Sequence, residues 1–130
     1  MLGQEFMKQL HDKDVTGWGR EDIDITNAQA VAEKTNALKP EVIINCAAYN
    51  NVDKAEDEPE IANAINGEAV GYLARAAADC AAKFVHFSTD YVFGGNREDG
   101  YSEEDLPDPI SVYGQSKALG EQKLLTHLLT

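Results

Sequence analysis

The sequence is poor in positive charge, cysteine and histidine, and it has no long apolar run. Its 11 lysines and arginines stand against 23 aspartates and glutamates, a formal net charge of −12 over 130 residues. A field of that sign repels nucleic-acid phosphates and anionic lipid, so neither a nucleic acid nor a membrane is an expected partner. It also means that a nucleotide ligand has to be held by local devices: helix N-termini, backbone N–H groups and a few placed side chains. No stretch approaches the roughly 20 apolar residues that cross a bilayer. Met1-Leu2-Gly3-Gln4-Glu5 has neither the basic end nor the apolar core of a secretory signal. Cys46 and Cys80 lack metal-ligand spacing and read as reduced, buried thiols of a cytosolic, that is cytoplasmic, protein. The three histidines are scattered, and no His/Cys/carboxylate cluster predicts a metal site.

What remains is ordinary for a globular chain: 43% hydrophobic and 26% charged residues, enough for one domain with a core but not for two. Leu2, Phe6 and Leu10 share one face of a helix. Val15–Trp18 reads as a short strand closed by Gly19, and Asp22–Ile25 alternates like a second one. Thr26 and Gln29 fit a capping box, with a helix following to about Leu38 and Pro40 marking its end. Glu41–Cys46 and Lys83–Ser88 are apolar runs of the kind buried on both faces of a sheet. Asp53 and Glu56 are candidates to cap a short turn, and Pro59 suits the first position of an alanine-rich helix, Glu60–Ala82. Asn96–Pro109 is a loop by composition, and Val112 to about Leu129 is the closing helix. Strands alternating with helices predict an α/β fold: a parallel sheet with helices on both faces.

Tyr113 and Lys117 stand one turn apart on a single helix face. A neighbouring ammonium favours the phenolate, and a tyrosine so tuned exchanges protons near neutral pH, as carbonyl reduction or alcohol oxidation requires. The spacing alone also arises by accident on surface helices. Ser88 and Thr89 directly follow an apolar strand, at the carboxyl end of the sheet where open α/β folds bind ligands. A hydroxyl there either bonds a substrate carbonyl oxygen or merely closes its own turn. In Asn45-Cys46-Ala47-Ala48-Tyr49 the small residues let a flat ligand approach the backbone, or let a helix pack tightly. Asp24 and Ile25 are either an adenine contact or ordinary loop residues.

Taken in order, Asp22–Thr26, Asn45–Tyr49, Val52-Asp53-Lys54-Ala55-Glu56, Ser88–Phe93 and Tyr113–Lys117 resemble the dTDP-4-dehydrorhamnose reductases. These are extended short-chain dehydrogenases/reductases, and the resemblance runs from about Leu2 to Leu124. It implies a partial NAD(P)-binding, Rossmann-like domain over 1–130 and hydride transfer to the 4-keto group of a dTDP-sugar. It further implies that Tyr113 protonates the alkoxide, Lys117 holds the nicotinamide ribose and tunes Tyr113, and Thr89 binds the carbonyl oxygen. Tyr91 would help position the sugar; Asp24 and Ile25 would face the adenine. Ala47, Ala48 and Tyr49 would line the path from phosphate to ribose. Gly3 would be the third glycine of the family's phosphate turn, with the first strand, the other two glycines and the sugar-gripping region not included. The cofactor implied is NADP or NAD. Gly19-Arg20 stands where an acidic residue often meets the adenine ribose; Arg20 either accepts a 2′-phosphate, favouring NADPH, or is a solvated charge. Asn50-Asn51 and Gly94-Gly95 depart from the family's usual Thr-Ala and Asp-Gly. Some relatives use Mg²⁺ for assembly, but nothing in these residues marks a site, and a homodimer of the full-length protein is left open.

Two competing readings keep the fold. A non-catalytic, cofactor-binding regulatory subunit has no chemical need for Thr89, Tyr113 and Lys117 together. An epimerase or dehydratase would use the same pair, but a dehydratase wants an acid beside the tyrosine, and Asp90 is followed by Tyr91 rather than by glutamate.

Overall fold

The two apolar runs become β1 (Val42–Asn45) and β2 (Lys83–His86) in the computed structural model, which describes residues 1–128. They pair in parallel, Val42 opposite Lys83 and Asn45 opposite His86. Parallel neighbours need a crossover. Here it is helical: α3 (Val52–Ala55), α4 (Pro59–Asn63), a π-helical turn (Ala64–Glu68) and α5 (Ala69–Asp79). Two helices precede the sheet, α1 (Leu2–Gln9) and α2 (Ala28–Leu38). A 3₁₀ turn (Asp90–Val92) and α6 (Val112–Leu128) follow it.

The core forms where α2 packs on α5 and α5 on the sheet: Val31, Leu73 and Ala76 are buried, with Ile23, Ile25, Tyr72 and Phe84 packed around them. Alternation along β2 puts Phe84 and His86 on that face and turns Val85 and Phe87 to the other. There the Phe6 ring of α1 meets Phe87 at 6.0 Å, while Val85 is 40% exposed. Helices therefore stand on both faces, but unequally. The expectation of strands buried on both sides is corrected, because Val42 and Val85 lack a covering layer.

Other expectations also change. Residues 15–18 have no ladder partner and form no strand, since a strand exists only through its neighbour. Asp22–Ile25 is not a strand but two turns, closed by Asp22 N–H to the Gly19 carbonyl and Asn27 N–H to the Asp24 carbonyl. Asn27, not Thr26, caps α2, its side chain accepting from Ala30 N–H; the Thr26 hydroxyl is donated to Asp24 instead. Asn51 caps α3 rather than Asp53, and the Glu56 carboxylate caps α6 by accepting from Val112 N–H at 2.9 Å. The long helix starts at Pro59 as expected but is interrupted by the π turn and ends at Asp79. Leu129 lies outside the described residues. The cysteines are free and half-buried rather than buried.

α6 lies against the π turn and α5 so closely that glycine is required at the contact. A methyl on Gly120 would stand 2.2 Å from the Asn66 carbonyl oxygen, and one on Gly67 would stand 2.5 Å from Leu119 Cδ2. Among the described residues no helix is long and apolar enough to cross a membrane.

Candidate active site

The chain leaving β1 and the chain leaving β2 both meet α6, the first through Asn66 and Ser116 and the second through Lys117. After β1, Asn45 is buried, and its Oδ1 accepts from Ala47 N–H at 3.0 Å. Two residues on, the main chain of Tyr49 is held on both sides by Asn66: Tyr49 N–H donates to Oδ1 at 2.8 Å, and Nδ2 donates to the Tyr49 carbonyl at 3.0 Å. Asn66 Nδ2 also donates to Ser116 Oγ on α6 at 3.0 Å. A π turn inserts an extra residue into a helix and turns a side chain out of register; here that side chain is Asn66. The Tyr49 hydroxyl donates to Glu58, which also pairs with Lys54 at 2.7 Å. Those two partners hold the Glu58 carboxyl below its ordinary range, and burial, with Glu58 second, pushes the Tyr49 phenol up.

After β2, Lys117 Nζ donates to the Phe87 carbonyl, and the side chain is only 3% exposed. Burial lowers its pKa from the usual lysine value, with the carboxylate of Glu121 one turn on opposing the shift. Ser88 Oγ donates to Glu121. Thr89 caps the 3₁₀ turn: its Oγ1 accepts from Tyr91 N–H at 3.3 Å and donates to Asp90. That turn carries the Tyr91 ring edge-on to Tyr113, centroids 5.6 Å apart. Gly114 permits the contact, since a methyl there would lie 2.2 Å from the Tyr91 carbonyl oxygen.

The structure thus brings Thr89, Tyr91, Tyr113 and Lys117 together at the end of β2, and Asn66–Ser116 joins them to Ala47, Ala48 and Tyr49. Gly3 on α1 faces Cys46, 3.5 Å from where its Cβ would be. Arg20, Asp24 and Ile25 belong to the turns before α2, outside this group. Asp24 bonds both the N–H and the hydroxyl of Thr26, which hold its carboxyl low, hydroxyl first. Ile25 is half-buried against the Val31 cluster, which leaves part of its surface for another group. Among the described residues no group of three or more His, Cys, Asp or Glu side chains is placed to hold a metal. A shallow depression of about 410 Å³, lined by Pro107, Pro109, Gln115 and Leu119 among others, lies on the side of α6 away from Lys117. No titratable side chain lines it.

Sequence reasoning missed Asn66 and His86, and it placed the Glu56 cap on a nearby turn rather than on α6. The one available signal was a polar side chain amid alanines at Asn66; His86 Nδ1 lies 3.1 Å from Asn45 Nδ2, a pairing that needs the sheet register.

A parallel sheet with covering helices, and a Thr/Tyr/Lys group at its carboxyl end, define a Rossmann-like α/β protein of the short-chain-dehydrogenase type. A family model described as "RmlD substrate binding domain" matches residues 1–129, and the chain belongs to that family. It is 41% identical to a dTDP-4-dehydrorhamnose reductase of Escherichia coli over 123 residues, covering 95% of this chain and 39% of that one. Among solved structures it superposes on a dTDP-4-dehydrorhamnose reductase from Bacillus anthracis in complex with NADP, with a TM-score of 0.93 at 39% identity. The superposition covers 96% of this chain and 45% of that one. A Clostridium acetobutylicum dTDP-4-dehydrorhamnose reductase also has a TM-score of 0.93, at 42% identity over 96% of this chain and 45% of that one. The chain thus spans about two fifths of the length of the relatives it matches.

Proposed function

We propose that these residues, in a chain as long as those relatives, belong to a cytoplasmic NAD(P)H-dependent reductase. It converts the 4-keto group of dTDP-4-dehydro-L-rhamnose to the alcohol of dTDP-L-rhamnose. The observation that carries this is the meeting of Thr89, Tyr91, Tyr113 and Lys117 at the carboxyl end of β2. A nicotinamide cofactor fits the residues present. The buried Lys117 ammonium gives one N–H to the Phe87 carbonyl and, among the described residues, has no other hydrogen-bond acceptor, so two donors remain for ribose hydroxyls. Arg20 is exposed and forms no ion pair among the described residues, which favours a 2′-phosphate and hence NADPH.

When bound, the cofactor supplies the hydride that adds to the carbonyl carbon. Thr89 turns its O–H from Asp90 to the carbonyl oxygen, where negative charge develops. Tyr113 donates its phenolic proton to that oxygen, and the Lys117 ammonium one turn on stabilises the phenolate left behind. Tyr91, edge-on to Tyr113, limits the ring's orientation.

The test is to graft residues 1–130 onto the remainder of the Escherichia coli relative and follow NADPH oxidation with the keto sugar. Turnover is expected, and Tyr113→Phe lowers kcat by about 10²- to 10⁴-fold without moving the melting temperature, while Lys117→Met, which also removes the bond to the Phe87 carbonyl, lowers kcat as much and the melting temperature with it. A folded graft that binds NADPH but turns over nothing supports a non-catalytic cofactor-binding subunit instead.

A further inference from the structure

The contact of Ala47 N–H with Asn45 Oδ1, at 3.0 Å, fixes the groups behind it. A main-chain N–H can only donate, so the amide oxygen of Asn45 faces Ala47 and the amide nitrogen faces His86. Nδ2 lies 3.1 Å from His86 Nδ1. Because Nδ2 only donates, Nδ1 accepts, and the neutral ring carries its proton on Nε2. That Nε2 is buried and has no partner among the described residues. Asn45 is 6% exposed, so water is poorly placed to replace either bond. A buried N–H without a partner is costly, and an apolar side chain at position 86 would avoid the cost while filling the space. The histidine is explained by what its other nitrogen does. Burial, and then the Lys117 ammonium on α6, the charge that acts on the ring, hold its pKa down to about 4, so it stays an acceptor at neutral pH.

We propose that His86 is a positioning residue: by orienting the Asn45 amide it fixes the main chain at Ala47, and so shapes the segment 47–49 along which the cofactor lies. The inference rests on the reductase reading for its consequence, but not for its geometry. The geometry is tested on the 130-residue chain by ¹⁵N NMR of the imidazole at neutral pH, where the Nε2–H tautomer is expected. Asn45→Asp offers only acceptors, so it should force a proton onto Nδ1 and raise the His86 titration from about 4 to above the ordinary 6.5.

The consequence is tested in the grafted enzyme. His86→Leu is expected to raise the KM for NADPH by about fivefold or more, with kcat within about twofold. His86→Asn, whose side-chain oxygen can take the place of Nδ1, is expected to restore that KM. A structural role alone would move the melting temperature and leave the KM of the folded protein unchanged. An Nδ1–H tautomer, or equal KM values for the Leu and Asn variants, overturns the proposal. If the graft binds NADPH without turnover, the reductase reading fails, and the NADPH dissociation constants of the same variants decide this one.

Discussion

Gly114 on α6 touches the carbonyl of Tyr91: a methyl on Gly114 would stand 2.2 Å from the oxygen and 3.0 Å from the carbon. The contact locks the 3₁₀ turn that begins after Thr89 against the first turn of the helix carrying Tyr113. In an unconstrained helix Gly→Ala stabilises by about 1 kcal/mol. Here overpacking against backbone, typically about 1–3 kcal/mol, opposes it. Gly114→Ala is therefore expected to lower the melting temperature and, in the grafted enzyme, to lower kcat more than stability alone explains. A raised melting temperature would show that the turn yields freely.

Gly120 and Gly67 make a matched pair for the packing of α6. The obstacle at Gly120 is the Asn66 carbonyl oxygen at 2.2 Å, which is backbone. At Gly67 it is the Leu119 side chain, at 2.5 Å from Cδ2, whose end can change rotamer. Gly120→Ala is expected to cost about 2 kcal/mol or more by urea unfolding, and Gly67→Ala clearly less. The reverse order would mean that the π turn is softer than Leu119.

His86 sets a pH dependence of stability. Its folded pKa, about 4, lies below the ordinary 6.5, so between these values the unfolded chain binds more protons than the folded one. The contribution is fully present above about pH 6.5 and is lost as pH falls through about 4, with an upper limit of about 3 kcal/mol. The lowered carboxyls of Asp24, Glu58 and Asp105 act mainly below that window. Urea unfolding across it should show wild-type stability falling, with His86→Asn losing most of the slope. Parallel slopes would assign the acid sensitivity to other groups.

Arg20 lies on the exposed turn ahead of α2 and forms no ion pair among the described residues. In the grafted enzyme, Arg20→Ala is expected to raise the KM for NADPH by about tenfold while leaving that for NADH nearly unchanged. Equal effects on both cofactors would leave Arg20 as a solvated charge.

The catalytic candidates were legible because their spacing is local. Tyr113 and Lys117 share a helix face by periodicity alone, and Thr89 sits at a strand end wherever that strand pairs. The strands at 15–18 and 22–25 were misread for a related reason: alternation states a preference, but pairing needs a neighbour, and the only ladder described is β1–β2. The cap at Thr26 failed because the helix starts one residue later, at an Asn27 cap, and the Thr26 hydroxyl is turned back to donate to Asp24 at 2.7 Å.

By itself the sequence determined the order of helix and strand from α2 onward, the acidic composition, and the identity and order of the groups at the candidate site. Each follows from periodicity or composition over a few neighbouring residues. Only the tertiary structure decided that Asn66 would bridge Tyr49 to Ser116, 17 residues one way and 50 the other. It alone set His86 opposite Asn45 and placed Glu56 at the head of α6. Hydrogen bonds between buried polar groups depend on direction as well as chemistry, and those directions exist only once the sheet register and the close approach of α6 are in place.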